Sequence, residues 1–181
     1  MYLSPPAAHN NLSLLRRRPS DLKRYIVWTS DIKAQYGSIT NYVCQCRLGW
    51  HASSDSAAQT FPYNNPTPFA DPADYRILRN DWPYGLEPGI SHLVVWLRTP
   101  IAVQSGGHMT EESRALIQRF VDATFVARLE EEGVEDARAR VLWFKNWTAL
   151  QSVRALEHVH VLLRDVPEKI LTEWTGEKSK S

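Results

Sequence analysis

The chain has 181 residues, 43% hydrophobic and 23% charged, a composition that supports one globular core and excludes disorder throughout. Two full domains do not fit that length. Lys and Arg total 21 against 20 Asp and Glu, a net charge of +1, which excludes nucleic-acid binding by bulk phosphate neutralisation.

Residues 1–20 contain Arg16, Arg17 and Arg18 and no acidic residue, but Pro5 and Pro6 break any amphipathic helix there. A flexible N-terminal tail is therefore expected rather than a targeting helix. Between 21 and 50, Leu22, Tyr25, Ile26, Ile32, Tyr36, Ile39, Tyr42 and Val43 follow steps of three and four, interrupted near Gly37. That spacing predicts one or two helices. The two cysteines, Cys44 and Cys46, stand too close to staple a domain and read as reduced thiols, which suits the cytoplasm. Apolar runs such as 93–97 fall far short of the roughly 20 residues of a membrane span.

Residues 51–75 form a surface loop, with Pro62, Pro66, Pro68 and Pro72 each lacking a backbone donor. Strands are predicted over 76–79 and 91–98, the second so continuously apolar that both its faces should be covered. Thr110 is placed to cap a long helix whose stripe is Leu116, Ile117, Phe120, Val121, Phe125 and Leu129, ending at Gly133. Further strands over 140–144 and 157–164, a loop over 145–154 and a short helix over 168–174 complete the pattern. The fold class is α+β with an antiparallel sheet, because short links join the paired strands. One domain is expected over 21–175, with 176–181 a disordered tail.

His158 and His160 flank Val159 on the last strand, so their side chains leave the same face with Cα atoms about 6–7 Å apart, while Val159, Val161 and Leu163 point to the core. Two imidazoles titrating near neutrality suit a nucleophile or an acid–base pair. The loop before them offers Lys145, Asn146, Gln151, Ser152 and Arg154, a donor-rich set for a small anion. Trp82, Tyr84, Trp96, Trp143 and Trp147 could line a pocket. Glycine-rich phosphate loops, nucleophile elbows and dinucleotide fingerprints are missing from the sequence.

The stretches Asn80-Asp81-Trp82-Pro83-Tyr84, Pro88-Gly89, His92 with its apolar strand, Gln151-Ser152-Val153 and His158-Val159-His160 resemble the two motif blocks of the histidine-triad (HIT) hydrolases and transferases. The resemblance covers residues 76–164. It implies a HIT-like sheet with a long helix, preceded here by N-terminal helices. It implies that His158 forms a nucleotidyl-histidine, that His160 bonds the phosphate, that Gln151 and Ser152 contact it, and that Asn80 faces the nucleotide with His92 nearby. Leu156 stands where the first histidine of the triad would fall. Over residues 20–175, Tyr36-Gly37-Ser38, Leu48-Gly49-Trp50, Asn80 to Tyr84, Leu93-Val94-Val95-Trp96, Trp143-Phe144-Lys145-Asn146 and the His158/His160 segment also resemble the fungal N-acetylglucosamine-induced protein family, which carries a domain of unknown function.

The resulting expectation is a cytoplasmic enzyme acting on a phosphorylated small molecule, a nucleotide or a nucleotide or amino sugar. Two alternatives stand beside it: a biosynthetic tailoring enzyme using His158 and His160 as general acid and base, and a non-catalytic metabolite-binding regulator. The expected partner is a small-molecule substrate, with no nucleic acid and no membrane. A homodimer is one arrangement the HIT resemblance implies. No cofactor is expected and no metal assigned, although His158 and His160 with His92 or His108 could supply three nitrogens.

Overall fold

The computed structural model describes residues 17–51, 61–146 and 156–178. Helix α1 (Pro19–Tyr36) starts with Pro at its first turn, where a missing N–H costs nothing, and stops at Gly37, whose φ of 78° suits a residue without a Cβ. Ser38 caps α2 (Ile39–Tyr42) by accepting the Asn41 N–H, and the chain continues through a wide π-helical turn, Val43–Leu48. The predicted stripe on α1 is only half right. Ile32 is buried, but Leu22 and Ile26 are exposed, and the residues turned inward beside Ile32 are Trp28 and Tyr36.

Four strands follow: β1 (Tyr75–Arg79), β2 (Ile90–Leu97), β3 (Val141–Phe144) and β4 (Glu157–Arg164). They form an antiparallel sheet in the order β1-β2-β4-β3, as the α+β expectation requires. The reason given for it holds only in part. The central pair, β2 and β4, is not joined by a short link but meets across the whole intervening helical segment, with Val94 opposite His160 and Trp96 opposite His158. Gly89 enters β2 at φ 83°, and a Cβ there would strike the Asp165 carboxylate just beyond the end of β4. Only glycine lets those two strand ends approach so closely.

One face of the sheet presents Ile77, Leu93, Val95, Leu97, Val159, Val161 and Leu163 to Ile117, Phe120, Val121 and Phe125. The last four belong to a nearly continuous helix, α3 (Glu111–Val121), a π-helical turn (Asp122–Val126) and α4 (Ala127–Glu131). The opposite face is covered by α1, α2 and the turn after α2, with Ile39, Val43, Leu48 and Trp50 packed around Leu78 and Leu156. β2 is therefore buried on both faces, as its run of apolar residues predicted, and the sheet is the middle of three layers. Thr110 caps α3 as expected, its Oγ1 accepting the Ser113 N–H at 3.1 Å. Thr110→Ala should lower the unfolding free energy by ~1 kcal/mol in a urea titration with an unchanged slope.

The chain end is tied down further than predicted. Helix α5 (Glu168–Thr175) is followed by Glu177, whose carboxylate bonds Arg47 and the Arg79 N–H, each at 2.7 Å. Glu177 is thus held by Arg47 and Arg79, inside the stretch expected to be a disordered tail.

Candidate functional site

The face of the sheet under the N-terminal helices carries a pocket of about 160 Å³. Val94 and Trp96 of β2 and His158 and His160 of β4 form its floor, Tyr25 and Trp28 of α1 one wall, and Asn80, Trp82, Tyr84 and Asn146 the rest. The strand alternation that placed both histidines on one face was correct. Their surroundings were not foreseen: covered by the helices, His158 is 4% exposed and His160 7%.

His158 is oriented by the chain itself. Its Nδ1 lies 2.9 Å from the main-chain oxygen of Leu156. A carbonyl can only accept, so the proton sits on Nδ1 and the lone pair on Nε2. Trp96 packs against the ring at 4.8 Å. Burial pushes the imidazole down to about 4, a fall only partly offset by the Leu156 bond and reinforced by the Lys145 charge, so the ring is neutral at pH 7.

His160 belongs to a chain of bonded side chains. Its Nδ1 is 2.9 Å from His92 Nε2, and its Nε2 is 3.2 Å from the Asn146 amide. On the far side, Asn80 Oδ1 accepts the Trp82 N–H at 3.0 Å, which turns its NH₂ toward the His92 ring at 3.2 Å. The Asn80 NH₂ stands equally close, 3.2 Å, to both ring nitrogens of His92, so Asn80, His92, His160 and Asn146 form one continuous chain of contacts in which the imidazole tautomers set each donor and acceptor. Phe144 stacks on His160 at 4.8 Å and Tyr84 on His92 at 5.5 Å. Burial holds His92 down to about 3 and His160 well below the usual range, the Arg17 charge adding to both.

The sequence-predicted residues divide clearly. His158, His160, Asn80, Asn146, Trp82, Tyr84 and Trp96 come together at the pocket, and His92 stands behind His160. Trp143 does not. It lies opposite Val161 in the β3–β4 ladder, on the other face, and its indole donates to Gln118 Oε1 at 2.7 Å. Lys145 is buried against Glu157 at 2.9 Å, so its charge is spent on that carboxylate and it is not a pocket wall. Gln151, Ser152, Arg154 and Trp147 lie outside the described residues. His51 and His108 are exposed, away from the pocket. Among the described residues no group of three His, Cys, Asp or Glu is arranged to hold a metal ion, and no helix is long and apolar enough to cross a membrane.

Three arginines in the pocket lining, Arg17, Arg47 and Arg79, are not among the sequence-predicted site residues; Arg17 falls in the stretch expected to be a flexible tail. Arg47 reaches Asp81 and Glu177 beneath the pocket. Its signal was a lone cation next to Val43, Cys44 and Leu48, which are all buried.

This chain matches, over residues 4–164, the model of a family described as "Protein of unknown function (DUF3605)". The chain belongs to that family. It is 31% identical over 176 residues to N-acetylglucosamine-induced protein 1 of Candida albicans, an alignment covering 91% of this chain and 67% of the relative. It is also 34% identical over 131 residues to the uncharacterized protein YPL067C of Saccharomyces cerevisiae, covering 69% of this chain and 59% of that one. The chain thus spans less than two thirds of the yeast protein. Among solved structures, the crystal structure of HTC1 superposes with a TM-score of 0.63 at 29% identity, covering 91% of this chain and 83% of that one. The resemblance to the N-acetylglucosamine-induced proteins, drawn from motifs such as Asn80 to Tyr84, holds across the family match.

Proposed function

We propose that this protein is an enzyme acting on a phosphorylated small molecule, a nucleotide or a nucleotide or amino sugar, with His158 as nucleophile on a HIT-like sheet. The observation that carries this reading is the bond from His158 Nδ1–H to the Leu156 carbonyl. The first histidine of a triad would help to orient the nucleophile. Here a main-chain oxygen does that work, and Leu156 itself is free to pack in the apolar cluster.

Nε2 attacks phosphorus, forming an N–P bond while the P–O bond to the leaving group breaks and the leaving group departs with the electron pair. Water then cleaves the N–P bond and restores the imidazole. His160, held by His92, turns Nε2 to the pocket wall beside Asn146 and, in its Nε2–H tautomer, donates to a non-bridging oxygen that displaces the Asn146 contact. At pH 7 the His158 ring is neutral, so its Nε2 lone pair is free to attack.

The small pocket supports a second reading. Ligand clefts usually measure roughly 300–1,000 Å³, so about 160 Å³ suits a compact metabolite as well as one end of a nucleotide. A thermal-shift panel separates the two. Nucleotides, sugar nucleotides and N-acetylglucosamine phosphates, which the name of the Candida relative puts first, should raise the melting temperature. Stabilisation by neutral metabolites alone would sink the phosphate reading.

A further inference from the structure

Three arginines line the pocket, Arg17, Arg47 and Arg79. Arg47 is neutralised by Asp81 and Glu177, and Arg79 by Glu168. Arg17 has no carboxylate among the described residues. Its guanidinium carbon sits over the Tyr25 ring, 3.8 Å from the ring centre, with the Tyr84 ring at 5.6 Å, and Nη2 donates to the Trp82 carbonyl at 3.3 Å. Nε is buried and has no hydrogen-bond partner among the described residues. Its charge reaches His92 and His160, both neutral.

A cation beside a buried, unanswered N–H donor is costly unless something supplies the acceptor. Contact with Tyr25 holds the Arg17 guanidinium at the pocket wall, and Arg binds oxyanions through parallel N–H bonds. We infer that Arg17 is the oxyanion-binding residue of this pocket, holding the phosphate or carboxylate of the ligand beside His160. This role replaces the one assigned from sequence to Lys145. It shares the pocket with the proposed reaction but does not need His158 to be a nucleophile.

The test uses the full chain with inorganic phosphate and acetate as probes, measuring affinity by calorimetry and following the Arg17 Nε–H resonance by NMR. Phosphate should bind the wild type, and Arg17→Gln should weaken it on the order of tenfold to a hundredfold, the worth of a charge-assisted bond. Arg17→Lys, which keeps the charge but not the fork, should fall between. If acetate binds much more tightly than phosphate and the Arg17 dependence persists, the Arg17 role stands and the phosphoryl-transfer reading fails. Equal phosphate affinity in Arg17→Gln would overturn the inference, as would a wild type that binds neither probe. Because the Nε–H resonance must move on titrating wild-type protein, an unmoved signal overturns it too, without relying on any variant folding.

Discussion

Replacing His158 by alanine is expected to lower turnover of a phosphorylated substrate by at least about 10³-fold, or ~4 kcal/mol in the barrier, because loss of a nucleophile cannot be made up by its neighbours. Binding should be nearly untouched. His160, His92 and Asn80 hold one another through their own bonds, and none of those bonds passes through His158. The cavity left beneath Trp96 is the size of the lost ring, so added imidazole should restore part of the rate. Intact-mass analysis, quenched under alkaline conditions where N–P bonds survive, should show a phosphoryl or nucleotidyl adduct on wild type and none on His158→Ala. A variant that kept wild-type turnover would end the covalent reading.

Acid should unfold this protein early, through the same three histidines. Burial lowers His158 to about 4 and His92 to about 3, with His160 also well below its ordinary value of 6.5. Each folded-state value lies below the unfolded one, so their contribution to stability is complete above about pH 6.5 and is lost as pH falls toward 4. The protons taken up by His158 and His92 on unfolding give a slope of about 3 kcal/mol per pH unit in that window, about 4 kcal/mol between pH 7 and 5, and His160 adds to the loss in the same direction. That is comparable to the whole stability of an ordinary domain, about 5–15 kcal/mol. Urea titrations from pH 7.5 to 4.5 should show the midpoint collapsing below pH 6. Replacing His92 and His160 together by Gln should flatten the slope by at least half. A pH-independent midpoint over that range would mean that the imidazoles are charged or open to water in the folded state.

The sequence revealed these elements unevenly, and the reasons are physical. Strands, the Thr110 cap and the shared face of His158 and His160 depend on local spacing, which is printed in the chain. The parity of Trp143 is not local. It depends on β3 pairing Trp143 with Val161, a register that no stretch of residues around Trp143 could disclose. Lys145 looked like a phosphate ligand because its loop is rich in donors, but Glu157 lies within reach only once β3 and β4 are side by side. The neutrality of the histidines follows from the cover of α1 and α2, whose inward face is Trp28 and Ile32 rather than the more apolar-looking Leu22 and Ile26. Arg17 was hidden for the same reason: its role comes from Tyr25, Trp82 and Tyr84, which meet only in the fold.

His158 keeps its proton on Nδ1 and turns a bare Nε2 to the pocket. Long-range ¹H–¹⁵N NMR of the imidazoles at pH 7 reads this directly, without any substrate. His158 should show a protonated Nδ1 and an unprotonated Nε2, unchanged on lowering the pH to near 6. A signal for the opposite tautomer, or for a cationic ring at pH 7, would contradict it.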